Sequence, residues 1–204
     1  MATMTKQRST GVNGVLAVPT EPIYRLTVEQ YHRMIAADIL DEDDPVELLD
    51  GWLVQKMPKN HPHTLATRRI RRALERVIPA GWEVDSQEPF TTETSEPEPD
   101  CMVFRESDED RHPYPTEVGL AVEVADSTLR RDRTTKKTLY ARASIPIYWI
   151  ANLKHGQLEV FAEPTGPSPE PGYRRRRVYR GADVVTVLLA NREIARIPVR
   201  ELLP

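Results

Sequence analysis

Val118-Gly119-Leu120-Ala121-Val122-Glu123-Val124 is apolar at every position but one, and the exception is a carboxylate. A nearly continuous apolar run of this length reads as a central strand covered on both faces. An ionised side chain in such a strand is costly unless it is paired or bound to a cation. Glu123 therefore needs a partner, and its neighbours in the sequence supply candidates.

Upstream, Pro99-Asp100 opens a second apolar segment, Cys101-Met102-Val103-Phe104. If the two segments are adjacent strands, Asp100 and Glu123 stand side by side. Two carboxylates so placed raise each other's pKa and are reconciled by a hard divalent ion such as magnesium, with manganese as its substitute. Downstream, a helix from about Asp132 to Ala143 leads to Ile145-Pro146-Ile147-Tyr148-Trp149-Ile150, which reads as another strand. The result is a β-α-β unit, whose two strands run parallel if they share a sheet. Lys136 precedes Leu139, Tyr140 and Ala143 by three, four and seven positions, which places it on the buried stripe. There it can lay its methylenes on the core and extend its ammonium to the carboxylates, whereas Lys137 points about 100° away. The bland alternative is a structural Glu123–Lys136 ion pair, with Asp100 capping a turn.

The rest of the chain frames this unit. Thr27 and Gln30 form a capping-box pattern ahead of a short helix carrying Val28, Tyr31, Ile35 and Ile39. Val46 to Val54 reads as a hairpin turning at Asp50-Gly51, because both residue types tolerate positive φ. His63 to about Ile78 is an amphipathic helix, and Trp82 to Val84 returns to strand. Leu158 to Ala162 and Tyr173 to Tyr179 suggest a hairpin with a long Pro/Gly-rich loop, and Val184 to Leu189 adds a short strand. We expect a flexible arm over residues 1–24, then one α/β domain over 25–204. That domain has a mixed sheet, flanking helices and an antiparallel C-terminal extension.

With 28 basic and 31 acidic residues the net charge is −3, so a nucleic acid partner requires a local patch. Arg68, Arg69, Arg71, Arg72 and Arg76 crowd one helix, and Arg130, Arg131 and Arg133 precede Lys136. Either cluster suits phosphates; each also suits a solvated face. The lone cysteine, Cys101, excludes an intramolecular disulfide and a cysteine-built zinc site. His61-Pro62-His63 has no further His or Cys near it in sequence and reads as a helix start rather than a zinc pair. No apolar run is long enough to cross a bilayer and no signal-peptide core is evident, so a cytoplasmic protein is expected. Walker, nucleophile-elbow and dinucleotide-binding patterns are absent from the sequence.

Ser95-Glu96-Pro97-Glu98-Pro99-Asp100, Val122-Glu123-Val124-Ala125-Asp126-Ser127-Thr128, Asp132-Arg133-Thr134-Thr135-Lys136, Leu139-Tyr140-Ala141 and Ile147-Tyr148-Trp149 together resemble the Uma-two family of restriction endonucleases. Glu47-Leu48-Leu49-Asp50-Gly51 and His63 fit as well, so the likeness runs from about Leu26 to the C-terminus. The resemblance implies a restriction-endonuclease-like PD-(D/E)xK core acting on DNA, in which Asp100 and Glu123 hold the metal and a lysine positions or activates water. The lysine expected two residues after the Glu is replaced by Ala125, and the family's pattern puts Lys136 in its stead. Glu47 corresponds to the extra acidic residue such cores supply, or else to an exposed pairing residue of its strand. The Val124 carbonyl would complete the metal shell, and His63 would approach the site. Two alternatives stand beside a nuclease: a silent nucleic-acid-binding or regulatory domain of this fold, and a structural homodimer built through exposed strands.

Overall fold

The computed structural model describes residues 22–41, 43–106, 115 and 117–204. Most of the expected arm, residues 1–21, and the core of the acidic His/Pro-rich loop, residues 107–114, lie outside the described residues. Elements in chain order are α1 (Val28–Ala36), β1 (Val46–Leu49), β2 (Trp52–Gln55), α2 (His61–Glu75), β3 (Trp82–Asp85), β4 (Cys101–Arg105) and β5 (Val118–Ala125). There follow α3 (Leu129–Arg131), a π-helical turn (Asp132–Lys136), α4 (Lys137–Arg142), β6 (Ile147–Asn152), β7 (Gln157–Pro164), β8 (Tyr173–Arg180), β9 (Val184–Leu189), β10 (Arg192–Pro198) and α5 (Val199–Leu202).

Six strands form the main sheet in the order β3-β4-β5-β6-β7-β8. Only β5 and β6 run parallel, as the crossover through α3 and α4 requires; the other pairs are antiparallel. All eight residues of β5 are buried, Glu123 included. Side chains alternate between two cores. Val103, Leu120, Val122, Val124 and Trp149 meet α2, α5 and the β9–β10 hairpin on one face. Met102, Ala121, Tyr148, Ile150 and Phe161 meet Leu139 and Tyr140 of the crossover helix on the other. This alternation is the period of two expected of strands.

Local chemistry explains several boundaries. Thr27 and Gln30 make the reciprocal capping box of α1, which ends at Ala36, so that Ile39 lies beyond the helix and stays exposed. Asp50 and Gly51 both adopt positive φ (49° and 80°), the turn that a two-residue hairpin favours. The C-terminal extension is antiparallel, as expected. The strands β7 and β8 extend the main sheet, and β9 pairs with β10, a strand the sequence pattern did not place because its charged Arg192, Glu193 and Arg196 mask its periodicity. Gly119 is required for packing: a Cβ there would stand 2.5 Å from Leu189 Cδ1 and 2.8 Å from Trp82 Cζ3. Gly119→Ala is therefore expected to destabilise the fold by about 1–3 kcal/mol, read as a lowered urea midpoint.

Candidate active site

The register of the sheet builds the site. Cys101 pairs with Val122 in the antiparallel β4–β5 ladder, which sets Asp100 opposite Glu123 one step further along. Asp100 is fixed by its Oδ2, which accepts the Val124 amide at 2.8 Å and lies 3.1 Å from His63 Nε2 in the first turn of α2. Asn60 starts that helix by accepting the His63 amide, so the cap places the imidazole.

Glu47 arrives from the β1–β2 hairpin. An isolated bridge between Leu48 and Glu96 ties β1 to the Ser95–Asp100 segment, and the Glu98 amide donates to Glu47 Oε2 at 3.3 Å. Glu47 is 2% exposed and is not an outward pairing residue. Lys136, also 2% exposed, crosses from the π-helical turn to bond Glu47 Oε2 at 2.6 Å and Glu123 Oε1 at 3.1 Å. Tyr140, one turn on, donates its hydroxyl to the same Glu123 Oε1.

The outcome is a shared pattern. Each of Glu47, Asp100 and Glu123 commits one oxygen to protein donors, while among the described residues Glu47 Oε1, Asp100 Oδ1 and Glu123 Oε2 meet no donor. Burial, opposed by Lys136 but reinforced by Asp100, Asp132 and Glu47, pushes the Glu123 carboxyl up to about 8. For Lys136, burial disfavours the charge, but Glu123 and Glu47 outweigh it and hold the ammonium well above its ordinary range. These groups line a cleft of about 80 Å³ whose walls include Lys56, Asn60, Asp126 and Arg131.

These residues suit a hard divalent cation. Among the described residues no three His, Cys, Asp or Glu side chains converge on one ligating point. Lys136 occupies the space between Glu47 and Glu123, which leaves Asp100 and Glu123 as the carboxylate pair for an ion that keeps several waters. The free oxygens are hard donors, and His63, the one histidine among the described residues lining the cleft, already faces Asp100.

The family model described as "Putative restriction endonuclease", Uma2, matches residues 28–199. The chain belongs to the Uma2 family. It is also similar to a crystal structure titled as a putative nuclease from Anabaena variabilis, at 14% sequence identity and a TM-score of 0.64, covering 87% of this chain and 97% of that one. That likeness is one of fold, a mixed α/β architecture consistent with the restriction-endonuclease-like core that the family resemblance implied. Comparison with curated proteins gives no match.

Against this Uma2 framework, the structure brings Glu47, Asp100, Glu123, Val124, Lys136, His63 and Arg131 to one cleft. Lys137 does not reach it and instead lies over the Phe161 ring, 6.0 Å from its centroid. Arg68 and Arg72 are exposed on α2, outside the cleft lining, and Arg130 borders an adjoining groove.

Arg133 has a partner within the protein. Its partly exposed guanidinium grips the wholly buried Glu159 through Nε and Nη2, at 2.5–3.2 Å. The π-helical turn widens the inward face so that the neighbours Asp132 and Arg133 both turn toward the sheet, a distortion frequent at functional sites. Burial alone would raise Glu159, but hydrogen bonds from Arg133, Asn152 and Arg176 pull its carboxyl down to about 2. The folded state thus binds fewer protons there than the unfolded chain. Its contribution is complete above the ordinary carboxylate range, near 4.5, and is lost as pH falls toward 2. Glu159→Gln is expected to cost about 2 kcal/mol at neutral pH, reduced because both arginines are partly exposed, and to flatten the acid limb of the stability curve. Urea unfolding from pH 7 to pH 2.5 measures both.

Sequence reasoning missed Tyr140 and Asp132 as site residues. Both sit on the stripe that picked out Lys136, but Tyr140 reads as core and Asp132 as a helix-start acid. Asp132 is 1% exposed, accepts the Thr128 hydroxyl at 2.6 Å, and is raised to about 6, chiefly by burial. The spacing Glu96, Glu98, Asp100 carried a usable signal, since alternate residues of an extended segment share a face. Glu98 and Asp100 do line the cleft, whereas Glu96 turns aside to His32 and Thr91.

Proposed function

We propose that this chain is a metal-dependent endonuclease that hydrolyses DNA phosphodiester bonds, with magnesium as the physiological ion and manganese as its substitute. The observation that carries this reading is the trio of buried carboxylates around Lys136, each anchored by one oxygen and each with the other meeting no donor among the described residues. Asp100 and Glu123 would hold the ion, with the Val124 main chain alongside. The bound ion would supply Lewis-acid stabilisation of a phosphate oxygen and a more acidic water.

The protein's own groups do the rest. Lys136 donates to Glu47 and Glu123 and has a third N–H available to orient water or meet developing negative charge. Tyr140 and Lys136 together fix Glu123 Oε1, which keeps Oε2 available. His63 and the Val124 amide do the same for Asp100. Low accessibility around the carboxylates strengthens each of these interactions.

Ala125 stands where the usual lysine would be, the feature that favours a silent domain. Lys136 reaches the same carboxylate from the helix, which supports competence. The structural-dimer reading finds no help at β8, an outer strand of the sheet: Arg174 to Arg177 are all exposed, and like charges resist edge-to-edge pairing of two copies. Nicking of supercoiled DNA, with magnesium, manganese or chelator and with Glu123→Gln beside the wild type, tests the proposal. Metal-dependent nicking that disappears in the variant is expected; a wild type that binds DNA but never cuts it makes the silent domain the better reading.

A further inference from the structure

We propose that the groove adjoining the carboxylate cleft is a subsite for the phosphate next to the scissile one, and that it grips the DNA backbone without reading base sequence. This deepens the nuclease reading and rests on it. The groove, about 470 Å³ in volume, shares Met57, Ser127, Thr128 and Arg131 with the cleft, so a strand whose scissile phosphate lies over Asp100 and Glu123 continues into it.

Its remaining lining is Arg130, Thr134 and Thr135, and no carboxylate contributes. Arg133 and Arg176 are paired with Glu159, Arg142 with Asp50 and Arg71 with Glu75, whereas among the described residues no carboxylate stands within ion-pair distance of Arg130 or Arg131, although the Arg131 charge is felt at neighbouring Asp132. Arg131 is also oriented: its Nη1 donates to the Gln55 carbonyl at 3.1 Å, and its buried Nε has no hydrogen-bond partner. A buried donor left in that state calls for an acceptor.

The hydroxyls sort in the same way. Thr128 donates to Asp132 and Thr134 donates to the Arg130 carbonyl, while the Ser127 and Thr135 hydroxyls have no hydrogen-bond partner among the described residues. Two guanidinia and two free hydroxyls form a donor set matched to phosphate oxygens. The lining offers no aromatic ring for a base to stack on and no Asn or Gln for a base edge. Contacts of this type position a strand without specifying its sequence. The reacting bond must then have a charged phosphate beside it, which favours cutting within a strand.

The test uses the full chain, two fluorescent 20-base-pair duplexes of unrelated sequence, and chelator to prevent cutting. Binding is followed by anisotropy across a salt series. Arg130→Gln/Arg131→Gln is expected to weaken both duplexes equally and to reduce the slope of log K against log salt by about 1, the signature of one lost phosphate contact. Arg131→Lys, which keeps the charge, is expected to retain the slope. An unchanged slope in the double variant overturns the subsite, even where the wild type cuts plasmid DNA. Loss on one duplex alone overturns its sequence neutrality. A reduced slope in a protein that never cuts with magnesium or manganese overturns the nuclease reading while the backbone-binding groove stands.

Discussion

Lys136→Met is expected to abolish cutting and to lower stability together. The substitution leaves Glu47 and Glu123 buried with no counter-charge, and removing one partner of a buried ion pair costs about 3–5 kcal/mol. For a chain of this size that corresponds to a fall in Tm of about 6–20 °C. Losing a donor aimed at developing charge adds a rate loss of about 100-fold or more. The two effects separate in a second variant. Lys136→Met/Glu123→Gln removes the stranded carboxylate, so thermal stability recovers by a measurable part while activity does not. If the double variant melts no higher than the single, the buried pair does not have the energetics assigned to it. Lys137→Ala serves as the neighbour control and is expected to keep activity, because Lys137 packs over Phe161 and makes no bond to the carboxylates.

Asp100→Asn is expected to leave the fold intact and to remove metal-dependent cleavage, by about 100-fold or more. The amide is nearly isosteric, and its carbonyl can still accept the Val124 N–H, so the β4–β5 register survives. What disappears is one of the two charges offered to the cation. Calorimetric titration with magnesium or manganese should show weakened binding, while circular dichroism and the melting temperature stay near those of the wild type. DNA affinity in chelator should hold or rise, since one negative charge leaves the cleft. An Asp100→Asn protein that cuts at the wild-type rate would remove Asp100 from the proposed mechanism.

Much of the architecture was legible in the chain because its elements carry strong local signals. The all-apolar run of β5 announces a strand buried on both faces, the Asp50-Gly51 pair announces its turn, and Thr27 with Gln30 announces a helix start. The pairing of Asp100 with Glu123 followed from placing two such strands side by side, and Lys136 from helical period. Patterns of this kind arise from φ/ψ restrictions and from burial of one face, and both act over a few residues. The β10 strand escaped because charged residues on a half-exposed hairpin blur its alternation.

The sequence by itself determined that a carboxylate would stand in the central strand, that Asp100 and Lys136 were its candidate partners, and that its one cysteine could build neither an intramolecular disulfide nor a cysteine zinc site. Tertiary structure alone decided which groups share an oxygen and which are left free. It paired Arg133 with Glu159, drew Glu47 inward to Lys136, and set Tyr140 on the same Glu123 oxygen as that lysine. The physical reason is that these contacts join residues from 13 to 89 positions apart along the chain. Local sequence period fixes the face a side chain occupies, but the choice among charged partners on that face depends on the cost of burying each one unpaired, and burial is set only when the layers close.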